Sequence, residues 1–115
     1  MADDSIRTPY LTVQERPARN MAARLGGTLA VDGATNCIVV LKADQPIEVA
    51  WPPGCSVAPR GVSFAVLDPD GRTIAELGDT VMLGGGYVLP PVAHTTSRTG
   101  STMVFAVAGR HGLPT

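Results

Sequence analysis

From Ile47 to Gly86 the chain is cut into short apolar runs by residues that stop or bend a strand. IEVAW (47–51) alternates with a period of two, placing Ile47, Val49 and Trp51 on one face and Glu48 and Ala50 on the other. Pro52-Pro53-Gly54 ends it. RGVSFAVLD (60–68) alternates again, with Val62, Phe64 and Val66 on one face. Asp68-Pro69-Asp70-Gly71 then reads as a tight turn, because Pro presets φ, Asp accepts backbone hydrogen bonds and Gly tolerates positive φ. RTIAEL (72–77), Gly78-Asp79, TVML (80–83) and Gly84-Gly85-Gly86 repeat the pattern. A period of two between closely spaced breakers marks half-buried strands and leaves no room for a helix of useful length.

The flanking sequence continues in the same way. LGGTLAVDG (25–33) sets Leu29 and Val31 on one side of a strand, and Asp32-Gly33 is a hairpin-type dipeptide. NCIVVLK (36–42) is apolar on both faces, the mark of a strand covered on both sides. Ala43-Asp44-Gln45-Pro46 reads as a turn, and STMVFAV (101–107) as a last strand. With 13 Gly and 10 Pro in 115 residues, the composition suits short strands and tight turns. About six or seven strands spaced roughly ten residues apart predict an all-β fold. A small antiparallel barrel of the OB or SH3-like kind is favoured, since closure removes exposed edges; a small β-sandwich is the alternative.

Residues 25–109 form the predicted barrel domain. Residues 1–24 read as a mobile arm broken by Pro9 and Pro17, with either a short helix over 17–24 or an edge strand carrying Leu11 and Val13. Residues 110–115 read as a frayed tail. No apolar run reaches the roughly 20 residues of a membrane span. The acidic opening MADDS lacks the apolar core of a signal peptide, so the chain as given is expected in the cytoplasm; removal of a leader would instead place it outside or on a lipid anchor.

Read together, Gly27-x-Leu29, the apolar strand after Cys37, Trp51-Pro52-x-Gly54, the Asp-Gly turn and Gly78-Asp79-x-Val81-x-Leu83-Gly84-Gly85 carry a resemblance. The pattern, spanning about half the chain, resembles a group of uncharacterised small bacterial β-barrel domains, frequent in actinobacteria and often found in lipoproteins. The resemblance implies a small β-barrel and supplies no activity.

Motifs for chemistry are sparse. Cys37 and Cys55, with His94 and His111, provide four possible ligands without the close pairs a zinc site uses, so no metal and no cofactor is expected. The two cysteines are either a disulfide, in an oxidising compartment, or two reduced thiols, Cys37 buried as a small hydrophobe and Cys55 in a loop. Gly54-Cys55-Ser56 lacks the second glycine of a nucleophile elbow. The triple glycine is followed by Tyr87-Val88-Leu89-Pro90, which is extended and cannot supply the helix terminus of a phosphate loop. It reads as a bend where backbones approach closely. A net charge of −1 and five aromatics in all argue against a basic, aromatic-lined groove for single-stranded nucleic acid.

These features predict a non-enzymatic binding module that takes a protein partner or self-associates. A small-ligand site at the barrel mouth and an OB-like single-strand binder are the other two readings. Cys55 and Arg60 are the residues that barrel construction does not itself require; Trp51 reads first as core or barrel-mouth packing and otherwise as a stacking wall with Tyr87, and these four are the candidate contact residues.

Overall fold

The computed structural model describes residues 8–16, 22–89, 99–100, 103–108 and 113. His94 and His111, and most of the expected helix at 17–24, lie outside them. Among the described residues there are nine strands and no helix. They are β1 (Thr12–Val13), β2 (Ala23–Asp32), β3 (Cys37–Lys42), β4 (Gln45–Trp51), β5 (Ser56–Arg60), β6 (Ser63–Leu67), β7 (Thr73–Glu76), β8 (Thr80–Val88) and β9 (Val104–Val107).

Five of them close a barrel in the order β2-β3-β4-β9-β8 and back to β2. Four of the five pairings are antiparallel; β4 and β9 close the barrel in parallel, through Val49–Phe105 and Ala50–Ala106. One parallel closure between the third and fifth barrel strands is the OB arrangement, so the barrel expectation holds. The long β2 serves both neighbours. Its residues 23–28 pair with β8 and 28–32 with β3.

That change of partner requires a strongly coiled strand. A Cβ on Gly27 would stand 2.2 Å from the Leu41 carbonyl oxygen, and one on Gly85 would stand 1.9 Å from that of Ala106. Both glycines sit where two backbones touch, which is the role expected of the triple glycine.

Inward-facing residues from every barrel strand form one core: Leu25, Leu29, Ile38, Val40, Val49, Trp51, Val81, Leu83, Phe105 and Val107. The second sheet, in the order β5-β6-β7, joins it through Val66 and Ala75 and the half-buried Val57, Ile74 and Leu77. It is tied to the barrel by reciprocal bonds at Leu29, which donates to Asp79 O at 2.9 Å and accepts from Gly78 N at 2.8 Å. The inserted sheet therefore seals the interior and is not a domain of its own. Leu113, in the stretch expected to fray, packs against the same core.

The loops differ in how they meet their geometry. Asp68 behaves as expected: its Oδ1 accepts from Asp70 N and Arg72 N, and its carbonyl accepts from Gly71 N. The β5–β6 hairpin turns on Gly61 and Val62, with Gly61 at φ +60° as the first central residue of a two-residue loop. Val62 is therefore at a tip and 94% exposed, not on the core face with Phe64. Between β2 and β3 the last pair is Asp32–Cys37, so the loop is four residues long. Asn36, not Gly33, takes the left-handed conformation.

β4 begins earlier than expected, at Gln45. In a two-residue hairpin the flanking pair, here Lys42–Gln45, is the hydrogen-bonded one. Leu41–Pro46 is then a non-bonded pair, and the missing N–H of Pro46 points away from β3. No helix of the described residues is long and apolar enough to cross a membrane.

Candidate functional site

The four residues expected to make contacts separate into two environments. Trp51 is fully buried and Cys55 nearly so, both within the main core. The Trp51 ring is thus core packing and forms no stacking wall with Tyr87. Its indole N–H is the one buried side-chain polar group among the described residues without a hydrogen-bond partner. Cys37 and Cys55 are both buried, and no disulfide joins them in this structure, unlike the disulfide alternative. Arg60 is exposed on the second sheet, where its guanidinium donates to Pro59 O at 2.9 Å and Thr73 Oγ1 at 3.1 Å. Tyr87 lies on β8 and meets Phe105 edge to face, with ring centroids 5.2 Å apart at 81°.

The residue that stands out physically was not among those four. Glu48, on the outer face of β4, is 1% exposed. Burying a carboxyl group is costly unless its oxygens are hydrogen-bonded. Here Oε2 accepts from the Thr12 hydroxyl of β1. Oε1 accepts from the Thr99 backbone N–H at 3.1 Å and from the Thr99 hydroxyl. Cys37 Sγ lies 3.7 Å from Thr12 Oγ1 and 3.6 Å from Ile38 O, so its one S–H has two acceptors within reach.

Glu48 opens onto a cleft of about 170 Å³ lined by Asp32, Val39, Pro46, Glu48 and Thr99. Asp32 Oδ2 accepts from the Thr35 hydroxyl at 2.6 Å. The arrangement puts a second carboxyl group at the mouth, at the seam of β2, β3 and β4.

The contacts that hold this cluster together are hydrogen bonds. The thiol of Cys37 is fully buried. Its neighbour, the Thr12 hydroxyl, is already committed to a carboxyl oxygen. Among the described residues no group of three His, Cys, Asp or Glu side chains is placed to hold a metal ion.

A signal for Glu48 was available in the sequence. β3 is apolar on both faces and must be covered on both. A strand paired to it shares that cover, so the polar residue on the outer face of β4 has to be buried with it.

The second surface of interest is apolar. Tyr87, Leu89 and Met103 are 43%, 62% and 47% exposed. Tyr87, on β8, and Leu89, the residue just after that strand, alternate onto one face, and extending the Val88–Val104 pairing by one residue sets Met103, just before β9, beside Leu89. They make a continuous strip at the end of the β8–β9 ladder, on the same side as the buried Phe105.

Compared with known proteins, the chain matches no family model, no curated protein and no solved structure.

Proposed function

We propose that this chain is a non-enzymatic binding module that presents the Tyr87–Leu89–Met103 strip to a protein partner or to a second copy of itself. The observation that carries the reading is that three large apolar side chains stand exposed at the end of the β8–β9 ladder. Interface centres are apolar and rich in Tyr and Met, and a ladder backed by the core holds such residues without a large entropic cost on binding. A ligand site at the barrel mouth has less support, since Trp51 and Cys55 are inside the packed core. Single-stranded nucleic acid has less support too. OB barrels commonly bind it across their second and third strands, and here that face carries the Asp32–Glu48 cleft.

Light scattering across a range of concentrations tests the second-copy branch. A mass that rises with concentration, and that Tyr87→Ser with Leu89→Ser returns to the monomer value, supports it; a monomer throughout removes it. Photocrosslinking tests the partner branch, with the probe at Leu89 and a control probe at the isolated, fully exposed Val62. Adducts specific to position 89 support the reading, and equal labelling from both positions overturns it.

A further inference from the structure

We propose that the seam between the diverging ends of β3 and β4 is a docking groove for an extended peptide, filled here by residues 10–14 of the same chain. We further infer that the matching segment of a second copy can enter it in trans. The inference is independent of the strip at Tyr87.

The β3–β4 hairpin pairs only from Lys42–Gln45 to Val39–Glu48. Beyond it, residues 10–14 supply the missing partner to both strands. Tyr10 donates its N–H to Asn36 O at 2.7 Å and accepts from Ile38 N at 2.8 Å, bridging Cys37 of β3 in parallel. Thr12 and Val13 then pair in parallel with Ala50 and Trp51 of β4, and Gln14 N donates to Trp51 O at 2.8 Å.

The side chains follow the alternation of an inserted strand. Leu11 and Val13 pack on the core. Thr12 and Gln14, on the other face, are 1% and 2% exposed. Thr12 donates to Glu48 Oε2. The Gln14 side-chain amide donates to Ala50 O at 2.7 Å and to Val107 O at 2.8 Å. One side chain thus reaches both strands of the parallel closure.

Recognition therefore resides in the segment's own backbone and in an apolar-Thr-apolar-Gln pattern read on both faces. Main-chain pairing supplies affinity and alternate side chains supply specificity, as in strand addition to a sheet edge. Glu15, Arg16 and Ala22, the described residues of the connection to β2, are all exposed. Contacts made by residues 10–14 are the same whether the segment is joined to its own barrel or to another, which is the condition for exchange between copies.

The test uses the full chain with a specific protease site in place of residues 17–21, cut after folding. The cut segment is expected to stay with the barrel through gel filtration, or to exchange saturably with a labelled synthetic peptide of residues 8–16. A Gln14→Ala peptide should bind about tenfold or more weakly, having lost both amide donors. A peptide of scrambled sequence should not bind. If the barrel unfolds when the segment leaves, return of its β spectrum on adding the peptide supports the proposal, and no return overturns it. A cut chain that sheds the segment, stays folded and takes up no peptide overturns it, as does equal binding of the scrambled sequence.

Discussion

The β3–β4 wall and the β5–β7 sheet are built from the same kind of sequence, short alternating runs between breakers, and they are stabilised in opposite ways. The sheet is local. Its strands pair with their sequence neighbours, and its hairpins turn on Gly61–Val62 and on the Asp68 loop. The polar groups of the Asp68 turn are satisfied within a few residues, and these and the longer Arg60–Thr73 bond sit near solvent. The wall is non-local. It is covered on both faces, and the polar groups on its outer face are satisfied by residues far away in sequence, Thr12 lying 36 positions and Thr99 51 positions from Glu48. A polar substitution should therefore be cheap in the sheet and expensive in the wall, even where the hydrogen bonds look alike.

The strongest way to break that comparison is Thr12→Val. The substitution keeps the shape and removes the hydroxyl that bonds Glu48 Oε2 and lies near Cys37. A buried carboxyl oxygen loses a donor, so the loss should be about 1–3 kcal/mol, read as a lower urea midpoint at unchanged slope. A loss below the sheet variant would show that the buried network contributes nothing special.

That sheet variant is Asp68→Ala, which removes the acceptor for Asp70 N and Arg72 N. Both amides are at an exposed turn where water can take over. The expected loss is about 0.5–1 kcal/mol in the same urea assay. A loss matching that of Thr12→Val would remove the distinction between the two regions.

The same contrast decides what could be read from the sequence. The Asp68 turn, the two-sided β3 and the close approach at the triple glycine were legible, because their causes are local: turn chemistry, burial pattern and the lack of a Cβ. Val62 misled because alternation alone does not say where a hairpin turns; Gly61 marked the tip. Glu48 read as the solvent face of a half-buried strand because nothing within IEVAW announces the cover that Thr12 and Thr99 provide. Residues 10–14 read as an arm or an edge strand for the same reason. LTVQ is too short to reveal by itself that both its faces are buried. The site was least legible because its parts come from β1, β3, β4 and the stretch before β9.

The tip of the β3–β4 hairpin offers the finest test, because there the sequence and the geometry disagree. The loop is two residues long, and both Ala43 and Asp44 have positive φ, +48° and +64°. This is the type I′ geometry that matches strand twist and favours Asn-Gly. Aspartate tolerates the left-handed region, but alanine has a Cβ that crowds the following carbonyl there at a cost of about 1–2 kcal/mol. Glycine at 43 removes that cost and adds about 0.5–1 kcal/mol of unfolded-state entropy. The balance for Ala43→Gly is a gain of about 0.5 kcal/mol, small enough to need the urea midpoint measured beside Gly33→Ala as a control. Gly33 lies outside the left-handed region with nothing near its Cβ position, so alanine there should stabilise slightly through the unfolded chain alone. If Ala43→Gly destabilises while Gly33→Ala does not, the hairpin tip is not strained, and the wall's register rests on its buried pairs alone.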